Sequence, residues 1–203
     1  MKRRSRGTLF ATDTESSSNA VGGVLLEFEE DKVTAVGTDG RRLTKMEGPA
    51  KAVGSQEDSE STTIVPAKSM QLIERAFSDP DADIRIATHT NDIILNSPRI
   101  TVYSRLVEGR FPKWRDVFPV RTDAWQIELA VGPLFSALRQ AAVVTCEESR
   151  GIDFAFGDGS LVLSGSTAEV GQTRVEFPIG YDGPATTLSL DHRYVADFLK
   201  VLD

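Results

Sequence analysis

The residues that could carry catalysis form only two small groups. Asp39 lies near Arg41 and Arg42, and Glu147 lies beside Glu148. A carboxylate can act as a general acid or base when neighbouring groups shift its pKa, and it can hold a metal when further ligands converge on it. No histidine, lysine or metal-ligand cluster accompanies either group, and adjacent carboxylates on one segment are usually solvated charges. The pattern therefore predicts no intrinsic active site, no metal and no cofactor.

Composition narrows the remaining classes of protein. The chain has 203 residues, of which 40% are hydrophobic and 26% are charged, enough for one large core or two small ones. Its single cysteine, Cys146, excludes an internal disulfide and is expected to be a small, partly buried residue at a helix end. No segment resembles a membrane span, and no export segment follows the basic start at Lys2 to Arg6. We therefore expect a cytoplasmic protein without a membrane partner.

One structural unit occurs twice along the chain, with matching landmarks about 125 residues apart. Residues 62–65 lead into a helical pattern that ends at Phe77, and residues 186–188 lead into another that ends at Leu202. Earlier in each unit a glycine opens an alternating strand, at Gly23 and again at Gly151. A tandem repeat of strands and helices without a repeated reactive group indicates a modular scaffold.

Hydrophobic periodicity predicts the strands and helices of both units. The predicted strands are 22–29, 32–38, 42–47, 84–88, 92–96, 99–106, 125–130, 152–156, 160–165 and 172–177. The predicted helices are 2–11, 66–77, 133–145 and 192–202. Strands and helices in this order, with short turns between successive strands, predict an α+β fold with antiparallel sheets.

The net charge of −7 does not describe how charge is distributed. Lys68 and Arg75 share one side of the helix predicted over 66–77, and Arg193 and Lys200 lie outside the apolar stripe of the last helix. When the two units are aligned with one residue inserted in the second, Lys200 aligns with Arg75. Equivalent helices therefore carry equivalent cations. A basic face on an acidic protein is one interpretation, and ordinary solvated helix charges are the other.

Three segments carry a resemblance to a known family. They are residues 36–43, residues 64–68, and residues 105–119 with the sequence Gly109, Arg110, Phe111, Pro112. In order and spacing they resemble the second and third domains of the bacterial DNA polymerase III beta subunit, the sliding clamp, over essentially the whole chain. The resemblance implies tandem DNA-clamp domains, each with two helices packed on antiparallel sheets. Domain 1-121 would lack its first strand, and domain 122-203 would be truncated before its last strands.

The resemblance also implies a function in replication. Clamp proteins form a non-catalytic ring, a processivity factor that tethers the replicative polymerase to duplex DNA as part of a nucleotidyltransferase holoenzyme. The basic residues carried over to the DNA-facing surface are Lys2, Arg3, Arg4, Arg6, Lys68, Arg75, Arg139, Arg193 and Lys200. Their contacts with phosphates would be independent of sequence and would weaken with salt.

A second implied site is a pocket between the two domains that binds short, mostly apolar peptide motifs. Its partners would be the DNA polymerase III catalytic subunit, the clamp loader, other polymerases and repair proteins. Carried onto this chain, the pocket consists of Val21, Thr38, Gly40, Arg41, Arg42, Leu43, Pro112 and Val117. The apolar members would form its floor, and the Gly40 backbone and the arginines would supply rim hydrogen bonds.

The assembly is left open by the resemblance. The family's first domain, which meets the third domain of another protomer, has no counterpart here, and on the repeat argument about 30 to 40 residues of the second unit are missing. The chain is then either a fragment of a longer clamp or a short clamp-like product that forms a homo-oligomer, such as a ring of three two-domain chains. The alternative function is a clamp-like peptide-binding module that does not encircle DNA.

Overall fold

The structure, a computed structural model, describes residues 8–12, 20–52, 62–77, 79, 82–118 and 124–202. The chain divides into two compact units, Met1–Pro119 and Val120–Asp203, called unit 1 and unit 2 below. All strand pairs in both units are antiparallel among the described residues. The predicted α+β fold is confirmed.

Unit 1 contains two antiparallel sheets. The first has the strand order β3-β2-β1-β4 and the second has the order β5-β6-β7. The strands are β1 (Gly23–Phe28), β2 (Lys32–Thr38), β3 (Leu43–Pro49), β4 (Thr63–Pro66), β5 (Arg85–Thr88), β6 (Asp92–Asn96) and β7 (Thr101–Arg105). The remaining described elements are a 3-10 turn (Ala20–Gly22), helix α1 (Ala67–Ala76) and the one-turn helix α2 (Trp114–Val117).

Unit 2 repeats the first of these sheets. Its strands have the order β10-β9-β8-β11. Numbered along the chain within each sheet, both sheets therefore have the strand order 3-2-1-4. The elements are α3 (Val131–Ala141), a 3-10 turn (Ala142–Val144), β8 (Gly151–Gly157), β9 (Ser160–Thr167), β10 (Gly171–Pro178), β11 (Thr186–Asp191) and α4 (His192–Leu202). The repeat predicted from the sequence is confirmed by this shared topology.

Strand register makes the two units comparable residue by residue. Gly23 pairs with Pro66 at the end of β4, and Gly151 pairs with Asp191 at the end of β11. Helices α1 and α4 begin at the next residue in each case. Every residue of β4 and α1 therefore has an equivalent 125 positions later in β11 and α4.

A glycine in the second strand of each sheet allows a helix end to approach the backbone. A Cβ atom at Gly37 would lie 2.3 Å from the carbonyl oxygen of Thr8, and one at Gly165 would lie 3.1 Å from the carbonyl oxygen of Ala141. A side chain at either position would enter space occupied by the preceding helical segment. The repeat thus extends to how each sheet meets the segment before it.

The first sheet of unit 1 is buried on both faces. Val24 and Val65 belong to a core shared with α1 and the second sheet, whereas Leu25 and Ile64 belong to a second cluster on the other face, with Trp114. Successive side chains of a strand point to opposite faces, so consecutive buried positions require cover on both sides. In β8 of unit 2 the pattern alternates, since Ile152 and Phe154 are buried and the intervening Asp153 is exposed.

The structure corrects one predicted strand and adds three elements that were not predicted. Residues 124–130, predicted to include a strand, form none, and the described unit 2 sheet has β10 and β11 at its edges with no strand added to either. A strand needs a neighbour for its backbone hydrogen bonds, so an apolar pattern without a pairing partner does not become one. The strands β4 and β11 and the one-turn helix α2 were not predicted.

Helix boundaries also differ from the predictions. Helix α3 begins at Val131, before Pro133, and ends at Ala141 in a 3-10 turn, instead of continuing to Thr145. Proline is accepted there because the N–H groups of a first turn have no partner within the helix. Of the helix predicted over 2–11, residues 8 and 9 are helical, and residues 2–7 lie outside the described part of the chain.

Candidate peptide-binding and DNA-contact sites

The turn between β2 and β3 is organised by the side chain of Asp39. Its carboxylate accepts hydrogen bonds from the backbone N–H groups of Arg41 (2.9 Å) and Arg42 (3.0 Å) and from the Arg42 Nε–H (3.0 Å). The Thr38 hydroxyl donates to the Arg42 carbonyl (2.7 Å) and accepts from the Gly40 N–H (3.0 Å). Gly40 has a φ of +84°, which favours glycine. These bonds assign Asp39 a structural role in the turn.

The two arginines of this turn differ in their surroundings. The Arg42 guanidinium is tied to Asp39 and also lies 5.5 Å from the centre of the Phe10 ring. Arg41 is exposed, and only its backbone is held by the turn. A cation on a fixed backbone with a free side chain can adapt to a ligand, whereas Arg42 already has partners.

The segment after β7 supplies an apolar anchor beside the turn. The Val107 N–H donates to the Ile64 carbonyl of β4 at 2.8 Å, and Trp114, only 7% exposed, inserts against Leu25, Val36 and Ile64. Partly buried residues that pack on this cluster include Leu43, Phe111 and Ala20. The structure therefore brings the end of the β2–β3 turn and the segment before α2 to one cluster on unit 1.

Charged groups surround the Trp114 ring. Arg115 lies 4.4 Å and Lys45 5.7 Å from the ring centre, and the Trp114 Nε1–H points at Glu27 Oε1 over 3.4 Å. Arg115 donates two hydrogen bonds of 2.9 Å to the Glu27 carboxylate, which raises the pKa of Arg115. Sequence reasoning missed this group, because Glu27 and Arg115 are distant in the chain and only the fold makes them neighbours.

The eight residues predicted for the peptide pocket have varied surroundings. Thr38 is buried, and Val21, Arg42 and Leu43 are partly buried. Gly40, Arg41, Pro112 and Val117 are exposed. Val117 is 66% exposed and its neighbour Phe118 is 42% exposed with its ring edge-on to Trp114 at 5.8 Å. All eight lie in unit 1, where Leu43 and the segment containing Pro112 meet at the Trp114 cluster.

A separate groove of about 570 Å³ lies elsewhere on unit 1. Its lining comes from the loop before β6 and from the end of β7 and the residues after it, including Tyr103, Arg105 and Glu108. None of the eight residues predicted for the peptide pocket lines this groove. This groove and the predicted peptide pocket therefore do not coincide.

The predicted DNA-facing cations occupy equivalent helix positions. Lys68 and Arg75 of α1 correspond to Arg193 and Lys200 of α4 through the shared register of β4 and β11. Lys68, Arg75, Arg139 and Lys200 are exposed, and Arg193 is partly buried. The equivalence expected from the sequence is thus present in the fold. Lys2, Arg3, Arg4 and Arg6 lie outside the described residues.

The cations of the two units differ in their ion pairs. The Arg193 guanidinium binds Asp191 through contacts of 2.5 to 3.2 Å, and Lys200 lies 3.2 Å from Asp197. Hydrogen bonding to Arg193 lowers the pKa of Asp191, which also accepts the Arg193 N–H at 2.9 Å as a helix N-cap. In the part of the chain that the structure describes, no ion pair involves Lys68, Arg75 or Arg139.

The residues considered for catalysis belong to two turns, one in each unit. Glu147 and Glu148 are exposed in the turn before β8, whereas Asp39 is held by its own turn. Cys146 is exposed, so the prediction that it is partly buried is wrong. Among the described residues no three histidine, cysteine or acidic side chains are grouped as metal ligands. No described helix is both long and apolar enough to cross a membrane.

Two tandem α+β domains with one sheet order and matching basic helices have the architecture of a DNA-clamp scaffold. Residues 1–113 match the model of the DNA polymerase III beta subunit central domain, and residues 115–203 match that of its C-terminal domain. The chain belongs to the DNA polymerase III beta subunit family. The resemblance noted from the sequence is confirmed.

Individual relatives agree with this assignment. The beta sliding clamp of Chlamydia trachomatis is 28% identical over 95% of this chain and 45% of its own length, and that of Escherichia coli K12 is 28% identical over 100% and 54%. The sliding clamp structure from Pseudomonas aeruginosa has a TM-score of 0.88 at 25% identity, and the clamp of C. crescentus has 0.84 at 27%. In both comparisons the matched region covers 98% of this chain and 54% of the chain in the solved structure. The chain thus spans about half the length of the relatives it matches.

Proposed function

We propose that this chain acts as a DNA sliding-clamp scaffold, a non-catalytic processivity factor that tethers the replicative polymerase to duplex DNA in the cytoplasm. The observation that carries the proposal is the tandem match to two clamp domains over nearly the whole chain. The matching cations on α1 and α4 support it, because a sliding protein needs phosphate contacts that repeat around the duplex and read no sequence.

The DNA-facing set begins with the exposed cations that have no described ion pair, Lys68, Arg75 and Arg139. A cation without an internal acidic partner can replace a counterion at a phosphate without first breaking a salt bridge. Arg193 and Lys200 contribute less in this proposal, because each already lies beside an aspartate. Lys2, Arg3, Arg4 and Arg6 complete the set on sequence grounds.

The peptide site is proposed at the β2–β3 turn and the segment around Pro112 and Val117. Leu43 with the Trp114 cluster offers an apolar floor, while exposed Val117 and Phe118 extend it towards solvent. Arg41 and the Gly40 backbone supply polar contacts at the rim. The proposed partners are the polymerase III catalytic subunit, the clamp loader, other polymerases and repair proteins that carry short apolar motifs. A P. aeruginosa sliding clamp bound to griselimycin shows that a relative takes a ligand.

A peptide-binding module that does not encircle DNA is the second candidate. The observation that favours it is the acidic partner beside each of the two α4 cations, Asp191 beside Arg193 and Asp197 beside Lys200. Both pairs reduce the positive charge that unit 2 can offer to phosphates. The peptide site lies in unit 1 and does not depend on those cations.

Peptide binding is tested by fluorescence anisotropy with a labelled clamp-binding motif peptide. Leu43→Asp should weaken binding at least about tenfold, because it places a charge in the apolar floor. Leu72→Asp is the matched control, since Leu72 is 56% exposed on α1, away from the proposed pocket. Equal binding by the wild type and Leu43→Asp would overturn the peptide site.

Encirclement of DNA is tested by retention on nicked circular DNA, loaded with a clamp loader, before and after the circle is linearised. A sliding clamp should stay on the circle at moderate salt and slide off the linear form. Retention that is the same on both forms, or absent from both, while peptide binding persists, would select the second candidate. Loss of both activities would overturn the proposed function.

A further inference from the structure

Helix α2 carries the exposed part of the proposed peptide site but cannot hold its own position. It has a single turn, Trp114–Val117, and no side chain caps its start at Lys113. A helix of one turn forms too few backbone hydrogen bonds to be stable in isolation. The orientation of Val117 and of the following Phe118 therefore depends on what α2 contacts in the rest of unit 1.

Two side chains of strand β1 attach α2 to the sheet. Leu25 and Glu27 lie two positions apart on this strand, so they point to the same face. Leu25 packs with Trp114 in the apolar cluster, and the Glu27 carboxylate accepts two hydrogen bonds of 2.9 Å from Arg115. The Trp114 Nε1–H also points at Glu27 Oε1, over 3.4 Å. Consecutive residues of α2 are thus held by alternate residues of β1.

The contact between Glu27 and Arg115 fixes orientation more than it adds stability. Each carboxylate oxygen accepts from a different terminal nitrogen of the guanidinium, and a bidentate pair of this kind restricts the direction of both side chains. The Glu27 side chain is 26% exposed and that of Arg115 is 60% exposed. An ion pair this accessible to water contributes little to the free energy of unfolding. Its effect should therefore be on the position of α2.

The equivalent place in unit 2 shows that the sheet itself does not require this carboxylate. Ala155 lies 128 positions after Glu27 and pairs with Val162 on the next strand, as Glu27 pairs with Thr34. The two sheets have the same strand order with glutamate in one and alanine in the other. Glutamate is also a residue that strands disfavour. The partners of Glu27 in α2 account for its presence, whereas the strand does not.

We infer that Glu27 is a positioning residue of the proposed peptide site, which it serves through Arg115 without touching the peptide. It holds α2 in one orientation, and this orientation presents the exposed side chains of Val117 and Phe118. The inference rests on the proposed function, because a positioning role requires that a peptide binds there. A surface already held in its binding geometry loses less conformational entropy when the ligand arrives. Loss of Glu27 should therefore lower affinity although every peptide contact residue is still present.

Anisotropy titration of the full chain with the labelled clamp-binding motif peptide tests this inference. Glu27→Ala should weaken binding about three- to tenfold, and Glu27→Gln should weaken it less, because the amide oxygen still accepts one hydrogen bond. Glu176→Ala is the matched control, since Glu176 also pairs with an arginine, Arg174 at 3.1 Å, but belongs to β10 of unit 2. Circular dichroism melting checks that the variants fold.

A double-mutant cycle separates positioning from a general loosening of unit 1. In a background with both Val117→Ala and Phe118→Ala, the side chains that α2 presents are gone, so adding Glu27→Ala should change affinity less than about twofold. In a Leu43→Ala background Glu27→Ala should keep its full effect, because Leu43 lies on β3 and not on α2. A variant that only loosened the unit would lower affinity by the same factor in both backgrounds.

The outcomes distinguish this inference from the proposed function. A wild-type chain that binds no motif peptide would overturn the peptide site and the role of Glu27 together. If the wild type binds and Leu43→Asp does not, the peptide site stands. The role of Glu27 alone would then be overturned by wild-type affinity in Glu27→Ala, by an equal loss in Glu176→Ala, or by the same loss in both backgrounds of the cycle.

Discussion

Units 1 and 2 share a sheet order and a register, but the outer faces of their sheets have opposite chemistry. In unit 1, Leu25, Val36 and Ile64 lie on that face and pack against Trp114. The equivalent residues of unit 2 are Asp153, Ser164 and Ser189, and the Ser189 hydroxyl donates a hydrogen bond to Asp153. The same backbone frame therefore supports an apolar anchor for the candidate peptide site in one unit and a polar surface in the other.

The second difference between the units is the exposure of equivalent side chains on the other face of the sheet. Among the described residues, Leu188, Leu190, Phe198 and Leu202 of unit 2 are 42 to 49% exposed. Their unit 1 equivalents, Thr63, Val65, Ile73 and Phe77, are buried, and the last three of these pack with residues of the second sheet. A polar outer face needs no partner, whereas an exposed apolar one raises the free energy of the isolated unit. The comparison teaches that duplication preserved the frame, while side-chain identity decides which faces require a neighbour.

The largest expected effect comes from removing the anchor that only unit 1 has. Trp114→Ala should destabilise unit 1 by about 3 to 5 kcal/mol, because it leaves a cavity against Leu25 and Ile64 and frees Arg115 from its ring contact. Hydrogen exchange should then accelerate at the amides of β1 to β4 and not at those of β8 to β11. Trp125→Ala is the control, since Trp125 is 60% exposed and should cost less than about 1 kcal/mol. Equal losses in the two variants would contradict the comparison.

A smaller effect tests the feature that both units share. Gly37→Ala should cost about 3 kcal/mol, because the added methyl meets the rigid Thr8 carbonyl oxygen. Gly165→Ala should cost about 1 to 2 kcal/mol, because the methyl meets the end of the Ile152 side chain at 2.8 Å and the Ala141 oxygen only at 3.1 Å. Chemical denaturation measures both free energies of unfolding. Gly132→Ala is the control, because Gly132 is exposed and a Cβ atom there meets nothing within 4 Å. A larger loss at Gly165 than at Gly37 would show that the helix ends are packed differently.

The helix start of α4 differs from that of α1 and should respond to pH. Hydrogen bonding to Arg193 lowers the pKa of Asp191, so the stabilisation it gives is complete above the ordinary carboxyl pKa and is lost as the pH falls through the lowered value. Asp191→Asn should cost about 0.5 to 1 kcal/mol at neutral pH and flatten the loss of unit 2 stability below about pH 4. The equivalent residue of unit 1 is Pro66, which cannot titrate.

Urea denaturation at several pH values checks this prediction. Asp182→Asn serves as the control, because Asp182 is exposed in the same unit and forms no ion pair with the described residues. If Asp191→Asn and Asp182→Asn showed the same pH dependence as the wild type, the Asp191–Arg193 pair would have no role in acid stability.

The smallest effect concerns DNA and distinguishes free from paired cations. Lys68→Ala should weaken binding to a duplex a few-fold and lower the salt slope by about one, because one phosphate contact is lost. Lys200→Ala should change the slope less, because Lys200 already lies 3.2 Å from Asp197. Anisotropy titrations at several salt concentrations measure both slopes. Equal slopes for the two variants would show that the ion pair does not limit the contact.

The local sequence pattern was sufficient to predict most helices and strands. It failed where the structure of a segment depends on whether another strand pairs with it. Strands β2 and β6 were predicted at the residues where they lie, because turn residues such as Thr38, Asp39 and Gly40 mark their ends. The segment 125–130 has the composition of a strand but no neighbour. The peptide site stays a prediction. Of its predicted residues, Leu43 and Pro112 lie on segments that meet at one cluster, and the neighbouring Trp114, Glu27 and Arg115 were not predicted.

By itself, the sequence determined the repeat, the α+β class and the positions of the equivalent cations, because periodicity and register depend on residues a few positions apart. Only the tertiary structure decided that Trp114 packs against Leu25 and Ile64 and that Leu188 and Phe198 are exposed. It also decided that Arg193 and Lys200 are paired, whereas no described acidic side chain pairs with Lys68 or Arg75. Burial and ion pairing depend on which distant segments pack together, and residue type alone does not specify that.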